Sequence, residues 1–260
     1  MGSGGSAVVT GFVPVADGVH VATSRQMSTT STLLHDGRDA LLVDPAWMPD
    51  ELAAMAGSLE RAGLRVIAGF STHAHHDHLL WHPGLGDVPR YASPRTAELA
   101  RTERGDLVES LGAGFPASLT ELMGRVQGVE ALPAAAIPSG FHPEVVAHDG
   151  HAPGHTAVWL PDQRVLIAGD MLSDQELPLP FWPDDLPAYL HALDVLAEHA
   201  RTAEVVIPGH GRPGTDALAR VDADRRFLET VARGGDPDDP RLANPGMPEV
   251  LEHLRQLMPR

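Results

Sequence analysis

The chain has 260 residues, and its 35 Asp and Glu against 19 Arg give a formal net charge of −16. It contains no Lys and no Cys, which excludes disulfides, thiolate metal sites and cysteine nucleophiles. The acidic balance argues against a nucleic-acid partner, since affinity for phosphate backbones comes largely from clustered basic residues. No apolar run approaches the ~20 residues of a membrane span, and residues 1–6 lack the pattern of a secretory signal. We therefore expect a cytoplasmic protein with no membrane or nucleic-acid partner and a flexible tail over residues 1–6.

The first part of the chain is rich in β-strand signals. Apolar or β-branched runs separated by turn residues predict strands over residues 7–15, 18–23, 29–35, 39–43, 65–71 and 89–92. The helical spacing of Leu52, Met55 and Leu59 predicts a helix over 50–62. A second helix is predicted over 94–104, because Ser93 is a suitable N-cap and Pro94 suits the first helical position.

The second part of the chain repeats the order of strands followed by helices. Further strands are predicted over residues 144–147, 156–160, 164–168 and 204–207, and further helices over 185–200, 215–233 and 247–258. Residues 105–143 are interpreted as a helical insertion that covers a site. Two such halves indicate a β-sandwich flanked by helices, in a single α/β domain over 7–260. The glycine motifs of nucleotide-binding folds are absent from the sequence.

A cluster of metal-ligand residues follows the predicted strand at 65–71. Residues 73–78, His-Ala-His-His-Asp-His, hold four His and one Asp. Residues two apart in an extended segment point the same way, so His73 and His75 can bind one ion together. Asp77 and His78 are neighbours whose side chains diverge, so they can reach a second ion. Imidazole and carboxylate together suit zinc and similar metals.

Three later segments place a ligand-type residue in a turn marked by glycine. They are residues 152–156, which include His155, residues 167–170, which end in Asp170, and residues 207–211, which include His210. Each turn is weak evidence alone, because a Gly-Asp pair after a strand is usually only a turn. In this order after the histidine cluster, they indicate one metal centre.

The motifs together resemble those of metallo-β-lactamase-fold hydrolases. The family motif H-x-H-x-D-H is matched by residues 73–78, and its later ligands by His155, Asp170 and His210; the resemblance covers about residues 18–212. It implies a four-layer αβ/βα sandwich with two metals at one edge between the sheets. It also implies the ligand sets: His73, His75 and His155 for the first ion, Asp77, His78 and His210 for the second, and Asp170 as the bridge. Asp44, which ends an early strand, is expected to orient a metal-binding histidine.

The resemblance implies a dinuclear-metal hydrolase with Asp77 and Asp170 at its catalytic centre. Two divalent ions, Zn²⁺ or alternatively Mn²⁺ or Fe²⁺, would supply a metal-bound hydroxide that opens an ester, thioester, lactone or amide bond. The bridging Asp170 and the absence of Cys argue against true β-lactamases and favour the glyoxalase II-like and lactonase-like branches. Three alternatives stay open: a persulfide dioxygenase-like oxidoreductase with a single iron, a phosphodiesterase, and a catalytically silent binding protein.

The substrate pocket is predicted from apolar residues near the ligand motifs. The candidates are Trp81, Met171, Phe181 and Trp182. An apolar mouth with few basic groups favours a small, neutral substrate over a polyanion. The alternative for Phe181 and Trp182 is that they cap the next helix against the core. Two further histidines are not expected to bind metal: His76 supports the centre or is exposed, and His151 supports the centre.

Overall fold

A computed structural model of the chain describes residues 11–45, 48–180 and 185–257. The predicted tail over 1–6, the beginning of the first predicted strand, and the pocket candidates Phe181 and Trp182 lie outside the described residues.

Seven strands form the first sheet, and they lie in the order in which they occur along the chain. They are β1 (Val13–Ala16), β2 (Val19–Thr23), β3 (Thr30–His35), β4 (Asp39–Val43), β5 (Arg65–Phe70), β6 (Arg90–Ala92) and β7 (Gln127–Gly128). Pairing is antiparallel from β1 to β4 and parallel from β4 to β7.

Four strands form the second sheet, in the order β11-β10-β9-β8. They are β8 (Glu144–Ala147), β9 (Thr156–Leu160), β10 (Val165–Gly169) and β11 (Val205–Pro208). Strands β8, β9 and β10 pair antiparallel, and β10 pairs parallel with β11. A parallel pair needs a crossover connection, which a helix between β10 and β11 provides.

Helices occur between and after the strands of both sheets. They are α1 (Pro49–Arg61), α2 (Pro94–Thr102), α3 (Arg104–Ser110), α4 (Ala117–Thr120), α5 (Asp185–Ala200), α6 (Ala217–Ala232) and α7 (Met247–Leu257). Short 3-10 segments occur at Pro83–Leu85, Ala134–Ala136 and Pro240–Ala243. Among the described residues, no helix combines the length and apolar character required to cross a membrane.

The core is divided into layers by the two sheets. Alternate residues of β3 point to opposite faces, so Leu34 packs between the sheets while Leu33 packs on the side of α1. The space between the sheets is filled from both, for example by Phe70 of the first and Ile167 of the second. Helices α5, α6 and α7 pack on the outer face of the second sheet. The predicted four-layer αβ/βα sandwich is confirmed by this arrangement.

The segment over 105–143 packs beside the histidine cluster. It contains α4, β7 and a 3-10 turn in addition to most of α3. Leu119 and Met123 are buried against Leu79 and Leu80, the two residues that follow His78. The amide of Gly124 also donates to the carbonyl of Leu79 at 3.0 Å. The segment therefore supports the chain just beyond the predicted metal ligands.

Two buried histidines on neighbouring strands of the first sheet make stability depend on pH. His20 on β2 and His35 on β3 have ring nitrogens 3.2 Å apart. Burial lowers the pKa of His20 below 6.5, and the neighbouring His35 lowers it further. Burial also lowers the pKa of His35, although Asp36 and Asp17 oppose the shift. A lowered folded-state pKa contributes stability that is present above the unfolded-state pKa and is lost as the pH falls through the folded-state value.

We expect His20→Leu to reduce the loss of Tm on acidification. The difference in Tm between about pH 7.5 and about pH 5 should be smaller in the variant by roughly 2–4 °C, the shift that about 1 kcal/mol gives in a chain of this size. Thermal unfolding at the two pH values measures it, with His253→Gln on the exposed face of α7 as the control. An equal pH dependence in His20→Leu and the unaltered protein would show that this pair is not a source of acid sensitivity.

Candidate metal centre

The histidine and aspartate motifs meet at one edge of the sandwich, where strands from both sheets end. Residues 71–78 follow β5, Asp170 follows β10, and His210 lies two residues after β11. Backbone hydrogen bonds join the sheets there: the amide of Thr156 donates to the carbonyl of Thr72 at 2.9 Å, and the amide of Thr30 to that of Gly209 at 2.7 Å. The edge is therefore held together by backbone contacts between the ligand-bearing segments.

One group of donor atoms comes from Asp77, His78 and His210, all of them buried. The Asp77 Oδ2 atom lies 3.5 Å from His78 Nε2 and 3.2 Å from His210 Nε2. The two imidazole Nε2 atoms are 3.4 Å apart. The three atoms thus face one common point.

A second group of donor atoms comes from His73, His75, His151 and Asp170. The Nδ1 atom of His75 lies 2.9 Å from His73 Nε2 and 3.2 Å from His151 Nε2. The Oδ2 atom of Asp170 lies 3.4 Å from His73 Nε2 and 3.3 Å from His151 Nε2. These four donors also converge.

The Asp170 carboxylate lies between the two groups. Its Oδ2 atom belongs to the group with His73, His75 and His151. The same atom also lies 3.2 Å from His210 Nε2 of the other group. Its Oδ1 atom lies 3.1 Å from His78 Nε2 and makes no hydrogen bond among the described residues. Asp170 is thus placed to contact ions in both groups, as a bridging ligand does.

The spacing of the donor atoms fits metal coordination. Four ligands at the usual zinc distances of about 2.0–2.2 Å lie roughly 3.4 Å from one another in a tetrahedron. The donor separations given above are 2.9–3.5 Å, and all donor atoms of a group lie within 4.8 Å of one another. The contact of 3.1 Å between the groups, from Asp170 Oδ1 to His78 Nε2, lacks hydrogen-bond geometry. Imidazole and carboxylate donors gathered in this way suit two divalent ions of the zinc type.

The position of His155 differs from the one that the resemblance implies. Its Nε2 atom accepts a hydrogen bond from the backbone amide of Asp170 at 3.0 Å, and its ring stacks on that of His73 with centroids 4.9 Å apart. His155 is therefore not one of the four converging donors. The fourth atom of that group comes from His151 of the same turn, which has a φ of +69°. Non-glycine residues rarely adopt this left-handed conformation, and such strain is often found at functional sites.

Buried polar groups around the centre fix the ligand rings. Asp44 accepts hydrogen bonds from the amide and the hydroxyl of Thr72, at 2.8 and 2.7 Å. Its Oδ2 atom also lies 3.1 Å from His78 Nδ1, a buried atom that makes no hydrogen bond among the described residues. The Nδ1 atom of His210 donates a hydrogen bond to the carbonyl of Met27 at 3.0 Å. This bond leaves Nε2 facing the donor group.

The pKa values of the imidazoles are shifted in opposite directions in the two groups. Burial lowers the pKa of His73 to about 4 and holds the pKa of His75 well below its usual value. These imidazoles are therefore neutral at pH 7, the form that binds metal. Burial opposes protonation of His78 and His210 as well, but the carboxylates beside them outweigh it and raise the pKa of His210 to about 12. A cation at that group therefore competes with protons.

The two carboxylates of the centre keep their charge. Burial would raise the pKa of Asp77, but His78 and His210 lower it below its usual value. The same holds for Asp170, where His210, His78 and His73 outweigh burial. Two fixed negative charges therefore lie beside the converging imidazoles.

Two glycines are required by close packing at the ligands. A Cβ atom at Gly209 would overlap the Oδ1 atom of Asp170, and one at Gly169 would overlap the ring of His155. Gly169 also has a φ of +54°, which glycine adopts readily. The glycines that marked the turns in the sequence thus allow the ligand segments to approach one another.

The pocket candidates are placed in different environments. Trp81 packs on the outer side of the first sheet and donates from Nε1 to the carbonyl of Gly86 at 3.0 Å. It packs with Met55 and Leu59 of α1 and is not among the residues that line the cavity beside Asp170. Met171 is buried beside Asp170 and lines a small cavity with His151, Leu177 and Tyr189. His76 is half-buried, with Nδ1 3.9 Å from Asp77 Oδ1, and it belongs to neither donor group.

Two residues at the centre carry no recognisable sequence signal. Glu176 lies in a loop after Asp170, and its Oε1 atom is 3.8 Å from His210 Nδ1. Thr29 precedes β3, and its hydroxyl lies 3.4 Å from both Asp77 Oδ2 and His210 Nδ1. Isolated Glu and Thr residues are common in loops, so only the fold brings these to the ligands.

Comparison with known proteins agrees with this geometry. The family described as the metallo-beta-lactamase superfamily matches residues 25–210. A metallo-beta-lactamase type 2 of Bacteroides fragilis is 28% identical over 215 residues, covering 80% of this chain and 73% of that protein. The probable metallo-hydrolase YflN of Bacillus subtilis (strain 168) is 28% identical over 243 residues, covering 80% and 89%.

Solved structures show the same fold. A beta-lactamase domain protein from Burkholderia ambifaria superposes with a TM-score of 0.66 at 21% identity, covering 89% of this chain and 76% of that chain. A metallo-beta-lactamase family protein from Thermus thermophilus gives 0.63 at 24% identity, covering 85% and 84%.

Proposed function

Because the chain belongs to the metallo-beta-lactamase superfamily, we propose that it is a dinuclear-metal hydrolase acting on an ester, thioester, lactone or amide bond. The observation that carries the proposal is the Asp170 carboxylate, whose oxygens lie 3.1–3.4 Å from imidazole nitrogens of both donor groups. A structural site for one ion would need only one of these groups. The similarity to proteins named metallo-beta-lactamase and metallo-hydrolase supports a hydrolytic reaction.

Each donor group would hold one divalent ion of the zinc type, with Mn²⁺ or Fe²⁺ as alternatives. Asp77, His78 and His210 would hold one ion, His73 and His75 the other, and Asp170 both. The resemblance implies His155 as the remaining donor, whereas the distances between donor atoms favour His151. We therefore propose that the turn over 148–155 supplies one histidine donor.

The chemistry of the bound ions is to activate a water molecule and to polarise the bond that is cleaved. The protein contributes the arrangement of charge. Asp77 and Asp170 stay ionised and offset the charge of two neighbouring cations. His73 and His75 are neutral and offer their lone pairs. The chain has no Cys that could act as an alternative nucleophile.

The groups beside the centre favour a small substrate without negative charge. The cavity beside Asp170 and His151, about 10 Å³, is lined by the apolar Met171 and Leu177 and also by the polar Ser173 and Asp224. No arginine of the described chain lines that cavity. Glu176, which does line it, would repel an anionic group. A phosphodiester is therefore disfavoured relative to a neutral acyl compound or lactone.

Metal analysis tests the proposal. We expect about two equivalents of zinc, or of manganese or iron, per chain after metal-free protein is reconstituted and freed of excess metal. Activity should then be found in a panel of lactones, thioesters, β-lactams and phosphodiesters assayed with that protein. One equivalent of iron, with no zinc or manganese bound and no hydrolysis of any panel member, would reject the hydrolase and favour an oxidoreductase with a single iron.

A further inference from the structure

Two arginine side chains are buried behind the metal centre. Arg220 on α6 is 8% exposed, and Arg241 in the 3-10 turn after α6 is 6% exposed. Burying a guanidinium is costly unless its hydrogen bonds and its charge are satisfied. The partners of these two side chains therefore indicate what they do.

Arg220 joins the loops that carry two of the proposed ligands. Its Nη1 atom donates to the carbonyl of Leu172 at 3.1 Å and to that of Arg212 at 3.2 Å. Leu172 lies two residues after Asp170, and Arg212 lies two residues after His210. One nitrogen atom thus holds both ligand loops at a fixed separation.

Arg241 holds the continuation of the first loop. Its Nη1 atom donates to the carbonyls of Ser173 and Glu176, at 3.1 and 3.0 Å, and to Asp224 Oδ1 at 2.6 Å. Its Nη2 atom donates to Asp239 Oδ2 at 2.8 Å. The two carboxylates balance the buried charge, and the remaining donor capacity is directed at the loop backbone.

The loop over 173–176 in turn contacts the His210 segment. The Ser173 hydroxyl donates to the carbonyl of His210 at 2.7 Å. The Oδ1 atom of Asp174 accepts from the amide of Arg212 at 2.7 Å. Displacement of this loop would therefore move His210 relative to Asp170. The left-handed φ of Leu172, +60°, shows that the loop conformation needs support from such contacts.

We propose that Arg220 and Arg241 are positioning residues that set the distance between Asp170 and His210 and thereby the affinity for the ion between them. The inference rests on the proposed dinuclear function. Both arginines lie beyond residue 210, where the family match ends. The support is therefore built from the C-terminal part of this chain.

The test measures metal affinity in addition to activity. Metal-free protein is titrated with Co²⁺ and followed by visible absorption, for the unaltered chain and for Arg220→Met and Arg241→Met. We expect the second equivalent of Co²⁺ to bind about 10–100-fold more weakly in each variant, the range found for residues that orient metal ligands. Arg225→Met is the matched control, because Arg225 is also on α6 but pairs with Asp194, 67% exposed. Its affinity should stay unchanged.

Thermal unfolding of the metal-free variants separates positioning from stability alone. If the arginines serve only stability, Tm falls while the affinity of folded protein for the second Co²⁺ is unchanged, and the inference is wrong. If neither methionine variant folds, Ser173→Ala decides. This variant keeps both arginines and removes the hydroxyl that donates to the carbonyl of His210. It should therefore also bind the second equivalent of Co²⁺ more weakly. Unchanged affinity in Ser173→Ala would then overturn the inference.

If the centre does not bind two ions, the Co²⁺ titration gives a different result. In that case the unaltered protein binds only one Co²⁺. The positioning inference is then judged by the affinity for that single ion, because Asp170 lies beside both donor groups. Unchanged affinity for it in the folded arginine variants would overturn the inference as well.

Discussion

Replacing Asp170 by Asn should remove one of the two bound ions and lower kcat by about two orders of magnitude or more. The substitution keeps the shape of the side chain and removes the negative charge that lies between the donor groups, where Oδ1 approaches His78 and Oδ2 approaches His73 and His210. Two cations held close together then repel each other with less compensation. Elemental analysis and steady-state kinetics, on whichever panel substrate is hydrolysed, measure the two effects.

His76→Ala is the matched control for Asp170→Asn. His76 lies within the same motif but belongs to neither donor group, and its ring is only half-buried. The variant should retain two ions and change kcat less than about tenfold, because no ligand is removed. Loss of metal in His76→Ala together with two ions and near-normal turnover in Asp170→Asn would mean that the centre is built around other residues.

Elements with strong periodicity could be predicted closely from the sequence. The helix predicted over 185–200 is found as Asp185–Ala200, and the strand predicted over 156–160 as Thr156–Leu160. The helix carries apolar residues at helical spacing and the strand is a short run buried along its whole length, so burial stabilises the same conformation that the sequence indicates. Strand β7, Gln127–Gly128, could not be predicted in this way. Its two exposed residues carry no apolar pattern, and it exists only because its backbone pairs with β6.

The residues of the candidate site could also be predicted only in part from the sequence. Residues within one local segment, such as His73 and His75, could be grouped because strand-like spacing places them on one side. Arg220 could not be linked to the site, because on a helix it resembles an ordinary surface arginine. Its partner Leu172 is 48 positions away in the sequence. Long-range contacts of this kind depend on how the second sheet packs against α6, which no local pattern encodes.

The choice between His151 and His155 depends on one backbone torsion. The two residues are four apart in the same turn, and both are buried. The left-handed φ of His151 brings its Nε2 atom within 3.3 Å of Asp170 Oδ2, whereas His155 Nε2 accepts the Asp170 amide proton at 3.0 Å. A lone pair that already accepts a hydrogen bond is not directed at an ion. The sequence motif favours His155, because the sequence does not report that torsion.

We therefore expect His151→Ala to lower the bound metal to about one ion per chain and to reduce kcat by about 100-fold or more, as loss of a ligand from a two-metal centre should. His155→Ala should keep both ions, because the structure gives this residue a hydrogen bond to the Asp170 backbone and not a place among the donors. Elemental analysis of the reconstituted variants, with thermal unfolding to confirm that each is folded, separates the two. Loss of an ion in His155→Ala with both ions kept in His151→Ala would restore the assignment implied by the family resemblance. The His151 ring would then support the centre without binding metal.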